Sequence, residues 1–478
     1  MRIVPNLDLN FDFCWIKRGF SAMVKIPSRW HPEKKTDDEA DKSDEKPDTK
    51  DDVIGRKRNI MYFHNENVAA FHYGPHHPMK PFRLAVTHSL ILHYNLQHYF
   101  TMVEPPPATY EEIIAFHDTD YIEELMAGKW RVVPDEDAVD GTADDVPLFD
   151  GVYDYCTYYT GSTIQAAKAL NCKWADIVIN WSGGLHHAKK AQASGFCYVN
   201  DIVIGILELL KHNQRVLYID IDIHHGDGVQ DAFYFTSRVM TASFHHYHEK
   251  FFPGTGIVKE KGRSDGKHYS LNFPLREGIT DESYAYVFKP IVRSLVKFYD
   301  PNVIVLQCGA DSLGSDKLGK FNLSFNGHGE CIRFVKSLNR PLMILGGGGY
   351  RLRNVARCWT NETAIIVGQD DVISDIIPEI DPYRKCFAPE HYKLRPELPH
   401  RFRDANTREF LDYLIGVAEE RMRKIEHAPS VQMQPLGLIE ETLIEFMRRT
   451  TKERRLAEEL KAQEALLLKK PDIVNEYK

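Results

Sequence analysis

RVLYIDIDIHHGDG, residues 215–228, combines a run of β-branched and apolar residues with acids and imidazoles in its interior. The apolar run predicts a buried strand. Successive strand side chains point to opposite faces. Ile219, Ile221 and Ile223 then share one face, and Asp220, Asp222 and His224 share the other, with His225 and Asp227 just beyond. Burying unpaired carboxylates is costly, so something positive must sit against the acidic face.

Working outward, strand-like runs recur at 59–64 (NIMYFH), 175–180 (ADIVIN), 239–244 (VMTASF), 302–308 (NVIVLQC) and 341–346 (PLMILG). Helical patterns occupy 201–212, 282–299, 327–338 and 405–425. Strands alternating with helices predict an α/β fold: a single domain with a central, mostly parallel sheet and helices on both faces. No repeat at a fixed period is visible.

Ligands of open α/β sheets bind beyond the carboxyl ends of the strands. There the chain places His186 and His187 (WSGGLHHAKK), Asp222 and His224, Asp311 (GAD) and Tyr350 (GGGGY). One imidazole and two carboxylates, Asp222, His224 and Asp311, suit a catalytic divalent cation with open positions. Nitrogen ligation favours zinc or iron over magnesium or calcium. A lone buried Asp or His is as often a hydrogen-bonded core residue, but three on converging strand ends are not. The adjacent His186 and His187, in a loop, can flank a metal-activated water and move its proton, with Asp220 and Asp227 as carboxylate partners. Gly183, Gly184 and Gly195 nearby permit close backbone approach. A phenol at Tyr350 is either a core aromatic or a donor to a developing oxyanion. GGGGYR lacks the spacing of a dinucleotide or P-loop motif.

Bulk properties narrow the class. The 478 residues are 43% hydrophobic and 27% charged, with net charge −8, unlike a general nucleic-acid binder. Eight scattered cysteines form no CxxC pair, which disfavours zinc ribbons and thioredoxin-type redox sites, and a reducing compartment is the simplest reading. No apolar run reaches the roughly 18 residues of a membrane span. The first twenty residues lack a signal-peptide core. Residues 1–58 are expected to be a disordered charged extension. GRKRN (55–59) is either a nuclear import signal or a solvated basic patch. Prolines 429 and 435 interrupt helix, and 435–478 reads as a polar tail, helical or frayed.

Taken together, the chain resembles the class I histone deacetylases, zinc-dependent members of the arginase/deacetylase fold, of fungal type with extensions at both ends. The match runs over about residues 59–434. It is carried by HYGPHHPMKPFRL, WSGGLHHAKKAQASGFCYVNDI, YIDIDIHHGDGVQDAFY, FFPGTG, QCGADSLGSDKLGKFNLS and GGGGYRLRNVARCWT. The resemblance implies one Zn2+ held by Asp222, His224 and Asp311. It implies His186 and His187 as tandem histidines supported by Asp220 and Asp227, with His187 the general base and then acid, and Tyr350 as the carbonyl-polarising group. Gly195, Phe196 and Phe252 would line an acyl-lysine tunnel, with Asp145 and Leu318 at its rim. A structural K+ would lie near Asp220, Asp222, His224, Ser243 and Phe244. An inositol-phosphate groove would use His72, Tyr73, Lys80, Lys317 and Arg353. Two positions depart from that groove: Lys317 replaces a usual arginine, and His76 a usual glycine.

The implied activity is hydrolysis of N6-acetyl-lysine on histone tails and other acetylated proteins. The expected setting is a corepressor complex in the nucleus, with the cytoplasm as a second compartment. Neither sequence-specific nucleic-acid binding nor membrane association is expected. Two alternatives stand beside it: an acetylpolyamine amidohydrolase, and a catalytically weak scaffold of a repressor complex. An arginase-like two-metal site fits poorly, because the next acid after Asp311, Asp316, comes one residue late.

Overall fold

The computed structural model describes residues 58–128 and 145–425. The expectations for 1–57 and for the tail beyond 425 lie outside these residues.

Eight parallel strands form one sheet: β1 (Ile60–Phe63), β2 (Thr101–Val103), β3 (Ile177–Asn180), β4 (Val216–Asp220), β5 (Val239–His246), β6 (Ser270–Leu275), β7 (Val303–Gln307) and β8 (Leu342–Leu345). Their order is β2-β1-β3-β8-β7-β4-β5-β6. The strands that deliver the candidate site, β3, β8, β7 and β4, are therefore consecutive neighbours at the centre. Asn180, Leu345, Gln307, Asp220 and Ser243 pair across the sheet as one rung at its carboxyl edge. Everything catalytic in the sequence reading lies at this rung or within a few residues beyond it.

Both faces of the sheet are dry. Leu217, Ile219, Ile221 and Ile223 pack into one apolar layer, and Val216 and Tyr218 into the other. The predicted alternation at 215–223 is therefore right, but the strand is shorter than expected. It ends at Asp220, and Asp222 and His224 sit in the bent segment that follows. The acids themselves end it. Asp220 Oδ1 accepts the Asp222 N–H at 3.0 Å, and Asp222 Oδ1 accepts the His224 N–H at 3.0 Å. Such side-chain-to-backbone bonds two residues apart compete with the ladder.

Two edge strands escape the sequence reading. Thr101–Val103 has only three residues, and Ser270–Leu275 carries Pro274, which reads against a strand. At an edge, a missing N–H leaves no neighbour unpaired. The helices Val152–Asn171 and Leu352–Val367 were likewise not read; both are buried nearly all round, and in the second even polar residues such as Arg357, Asn361 and Glu362 lie inside. The predicted helices are present as Asp201–Leu209, Asp281–Tyr299, Phe325–Ser337 and Arg408–Met422. Ser324 and Thr407 cap the last two through their hydroxyls. Among the described residues no helix is long and apolar enough to cross a membrane.

Candidate active site

Asp222, His224 and Asp311 each present one donor atom, all within 4.8 Å of one another and all buried. His224 Nδ1 lies 3.1 Å from an oxygen of each carboxylate. The remaining oxygens are fixed by the frame. Asp222 Oδ2 accepts from Gln307 Nε2 at 2.9 Å and from the Gly348 N–H at 2.8 Å, and Asp311 Oδ1 from the Ile223 N–H at 3.0 Å. Gly348 must be glycine, since a Cβ there would stand 2.0 Å from Asp311 Oδ2.

Counting charges explains what this cluster lacks. Asp220 is met by His186 Nδ1 at 2.7 Å and also accepts the Tyr218 hydroxyl at 2.6 Å. Asp227 is met by His187 Nδ1 and by Lys189 Nζ, each at 2.7 Å. Asp222 and Asp311 are left sharing His224, with His186 Nε2 3.8 Å from Asp222. Among the described residues no lysine or arginine is ion-paired with either. Burial pulls His224 down, yet the two carboxylates outweigh it and hold the ring at about 10. Burial and the charge of Asp222 push Asp311 above the usual carboxylate range. The donor set, one imidazole and two carboxylates in a dry pocket, fits a zinc-type divalent cation.

The tandem histidines differ in charge state. Burial lowers His186, but Asp220 and Asp222 overcome it and hold the ring at about 9. Burial and then the neighbouring His186 push His187 down to about 3, so it stays neutral. Their loop is held from behind by Asp201, whose oxygens accept the N–H groups of Gly184 and Leu185.

A cavity of about 540 Å³ opens onto His187, His224 and Tyr350, with Gly195, Phe196 and Phe252 along its wall and Asp145 and Leu318 at its border. His224 of the cluster therefore shares one space with the residues that the resemblance assigns to a tunnel and its rim. Aromatic rings pack along it: Phe252 stands edge-on to the His187 ring at 4.8 Å, and Phe196 edge-on to Tyr350 at 5.5 Å. Gly195 sits at φ +51°, where a Cβ would lie 2.5 Å from the His187 ring and 2.8 Å from Phe252. Gly195→Ala is therefore expected to displace His187 and lower turnover about 100-fold, the cost of a misplacement near 1 Å at a reacting centre. Steady-state kinetics with an acetyl-lysine peptide check this; unchanged kcat and KM would refute it.

The groove residues are only partly gathered. Lys80 lies beside Lys317, whose charge adds to burial in lowering it, and its Nζ donates to the carbonyls of Gly74 and Pro75. Tyr73 faces the cavity, its hydroxyl donating to the Phe196 carbonyl at 2.9 Å. His72 Nδ1 accepts the Gly74 N–H. Arg353 turns to the Cys386 carbonyl and to Glu390. Ser243 and Phe244 lie buried on β5, with Ser243 Oγ bonded to His245 Nδ1 at 2.9 Å.

Several residues that hold the site were not read from the sequence. Asp316, considered only as a late second-metal ligand, instead accepts the N–H groups of Tyr350 and Arg351, so it seats the tyrosine. Gln307, visible as an amide at a buried strand end, bridges Asp222 and the Gly309 N–H. Arg83, buried, donates to the carbonyls of Gly347 and Gly349 at 2.5 Å each and clamps the loop before Tyr350. Arg83→Met should cost about 1–3 kcal/mol for each orphaned carbonyl. A urea melt with an unshifted midpoint would contradict that.

The parallel sheet, with its chemistry gathered beyond the strand ends, defines an α/β enzyme of the arginase/deacetylase architecture. A model of the histone deacetylase domain matches residues 77–366. The chain is 51% identical over 381 residues to Histone deacetylase 9 of Arabidopsis thaliana, covering 79% of this chain and 88% of that protein. It is 49% identical over 381 residues to Type-1 histone deacetylase 1 of Dictyostelium discoideum, covering 78% and 75%. To Histone deacetylase clr6 of Schizosaccharomyces pombe it is 48% identical over 384 residues, covering 79% and 92%. The chain belongs to the histone deacetylase family, and it is a hydrolase.

Proposed function

We propose that this chain is a zinc-dependent lysine deacetylase that hydrolyses N6-acetyl-lysine on histone tails to lysine and acetate. The observation that carries the reading is the buried Asp222–His224–Asp311 cluster, with no lysine or arginine paired to its acids among the described residues, whose His224 lines a cavity walled by Phe196 and Phe252. Zinc held by these three residues would supply Lewis acidity, polarising a carbonyl and activating a water. The chain's own groups do the rest. His187, neutral and oriented by Asp227, is the form of imidazole that can take a proton from water and later give it to the leaving amine. His186, held to Asp220 through Nδ1 at 2.7 Å, lends electrostatic support beside it. Tyr350 donates its phenolic hydrogen to the carbonyl oxygen as charge develops there. Phe196 and Phe252 flank an apolar slot suited to the uncharged methylenes of an acylated lysine. Asp145 at the mouth suits a grip on the peptide backbone.

The wider setting is part of the same proposal: transcriptional repression and chromatin regulation in the nucleus, with the cytoplasm as a second compartment, inside a corepressor-type complex. A potassium ion near Asp220, Asp222, His224, Ser243 and Phe244 is supported by the adjacency of the Asp220–Ser243 rung to the metal cluster. Inositol-phosphate binding is supported by the juxtaposed Lys80 and Lys317, with His72, Tyr73 and Arg353 contributing less direct support.

The test is turnover of acetylated histone peptides and of acetylspermidine side by side, with and without chelator. Hydrolysis of the peptides, lost on chelation and restored by added Zn2+, is expected. Turnover of acetylspermidine alone would favour the polyamine reading. No turnover of either, even with a corepressor partner added, would favour the scaffold.

A further inference from the structure

Below the turn that carries Asp311 lies a second cluster of titratable groups that the reaction does not use. His328, Cys358 and Glu362 are fully buried, with donor atoms within 4.8 Å of one another. His328 comes from the helix Phe325–Ser337, and the other two from Leu352–Val367. His328 Nδ1 is hydrogen-bonded to Glu362 Oε1. Cys358 Sγ lies 3.6 Å from that nitrogen and 3.5 Å from that oxygen. His328 Nε2 lies 3.0 Å from the Gly309 carbonyl oxygen. A carbonyl only accepts, so Nε2 carries a hydrogen. Both ring nitrogens are therefore spent, which leaves no lone pair free for a metal.

We propose that the His328–Glu362 pair is a positioning device for the Asp222–His224–Asp311 cluster, acting through Gly309. Gly309 stands two residues before Asp311, and a Cβ on it would lie 2.0 Å from Asp222 Oδ2. Its N–H donates to Gln307 Oε1 at 2.8 Å, and Gln307 Nε2 in turn donates to Asp222. The carbonyl before it, of Cys308, accepts from Trp359 Nε1 at 2.9 Å, again from the helix that bears Glu362. Two consecutive carbonyls of the turn are thus gripped from below. Glu362, accepting from Nδ1–H as a carboxylate, favours a ring with hydrogen on both nitrogens, so Nε2 keeps its donor. Without it a neutral ring can keep its one hydrogen on Nδ1, and a lone pair on Nε2 would then face the Gly309 oxygen. Apolar residues of the same volume would fill this core at least as stably. What they could not supply is a directed donor at the metal turn.

The inference rests on reading Asp222, His224 and Asp311 as the cation site, so the wild-type full chain is titrated with Co2+ first. Affinity is measured by chelator competition, and the ligand field by the visible absorption bands. Glu362→Gln keeps an N–H that can donate to Nδ1, whereas Glu362→Leu does not. The Gln variant should stay within about threefold of wild type with the same bands, and the Leu variant should bind about tenfold or more weakly with shifted bands. A cooperatively folded Leu variant with unchanged affinity and bands overturns the inference alone. A wild type that binds no Co2+ overturns the reading of the cation site as well. Two Co2+ per wild-type chain, reduced to one by Cys358→Ser, would also overturn it, because the cluster would then be a metal site itself. Should the Leu variant fail to fold, imidazole nitrogen NMR of the wild type decides: hydrogen on His328 Nε2 supports the proposal, and hydrogen on Nδ1 alone overturns it.

Discussion

Asp311→Asn should strip the chain of its divalent cation and with it nearly all deacetylation. Asparagine keeps the size of the side chain and can still accept the Ile223 N–H that Asp311 Oδ1 accepts at 3.0 Å. What it removes is one of the two negative charges facing His224. Loss of an outer partner of a metal ligand costs about 10- to 100-fold in affinity or activity, and loss of a ligand's charge should exceed that. The metal-free variant should nevertheless melt no lower than the metal-free wild type. Asp222 and Asp311 are buried like charges, and removing one relieves repulsion that the site tolerates for function. Metal per chain by elemental analysis, peptide turnover and a thermal melt together check this. One zinc per chain and turnover within tenfold of wild type would remove Asp311 from the ligand set.

Tyr350→Phe should do the opposite to the metal and nearly the same to turnover. Burial, then the charges of Asp311 and Asp222, hold the Tyr350 phenol well above its usual range, so it stays a donor at any working pH. The ring is packed edge-on to Phe196 and lies 6.4 Å from the His224 ring, and phenylalanine can keep both contacts. Only the hydrogen-bond donor is lost. Removal of one oxyanion donor costs about 10²- to 10³-fold in kcat. KM and metal content should hardly change, since the donor matters most as charge builds on the oxygen. Loss of zinc from this variant would show that Tyr350 holds the metal site rather than the oxyanion.

The contrast between the two variants follows from what each residue touches, and it shows how far a sequence can be read. Asp222 and His224 stood out because polar groups within an apolar strand run require compensation, and Asp311 because it follows the carboxyl end of another predicted strand. His186 and His187 were legible through the glycines around them. Their partners Asp220 and Asp227 followed because two imidazoles and two acids were left to match. Asp316 was seen as an acid, but its work, holding the Tyr350 backbone, was not, because a carboxylate that accepts backbone N–H groups leaves no pattern of its own.

The sequence by itself determined the α/β class, the strands that build the centre of the sheet, and the residue types at their carboxyl ends, since alternation and apolar runs are local properties of the chain. Only the tertiary structure decided that β4 stops at Asp220, that His187, His224, Tyr350, Phe196 and Phe252 line one cavity, and that Arg83 reaches the Gly347 and Gly349 carbonyls, Gln307 reaches Asp222 and His328 reaches Gly309. Those partners meet across tens to hundreds of residues. A hydrogen bond depends on ångström-scale approach, and only the packed sheet and helices set that distance.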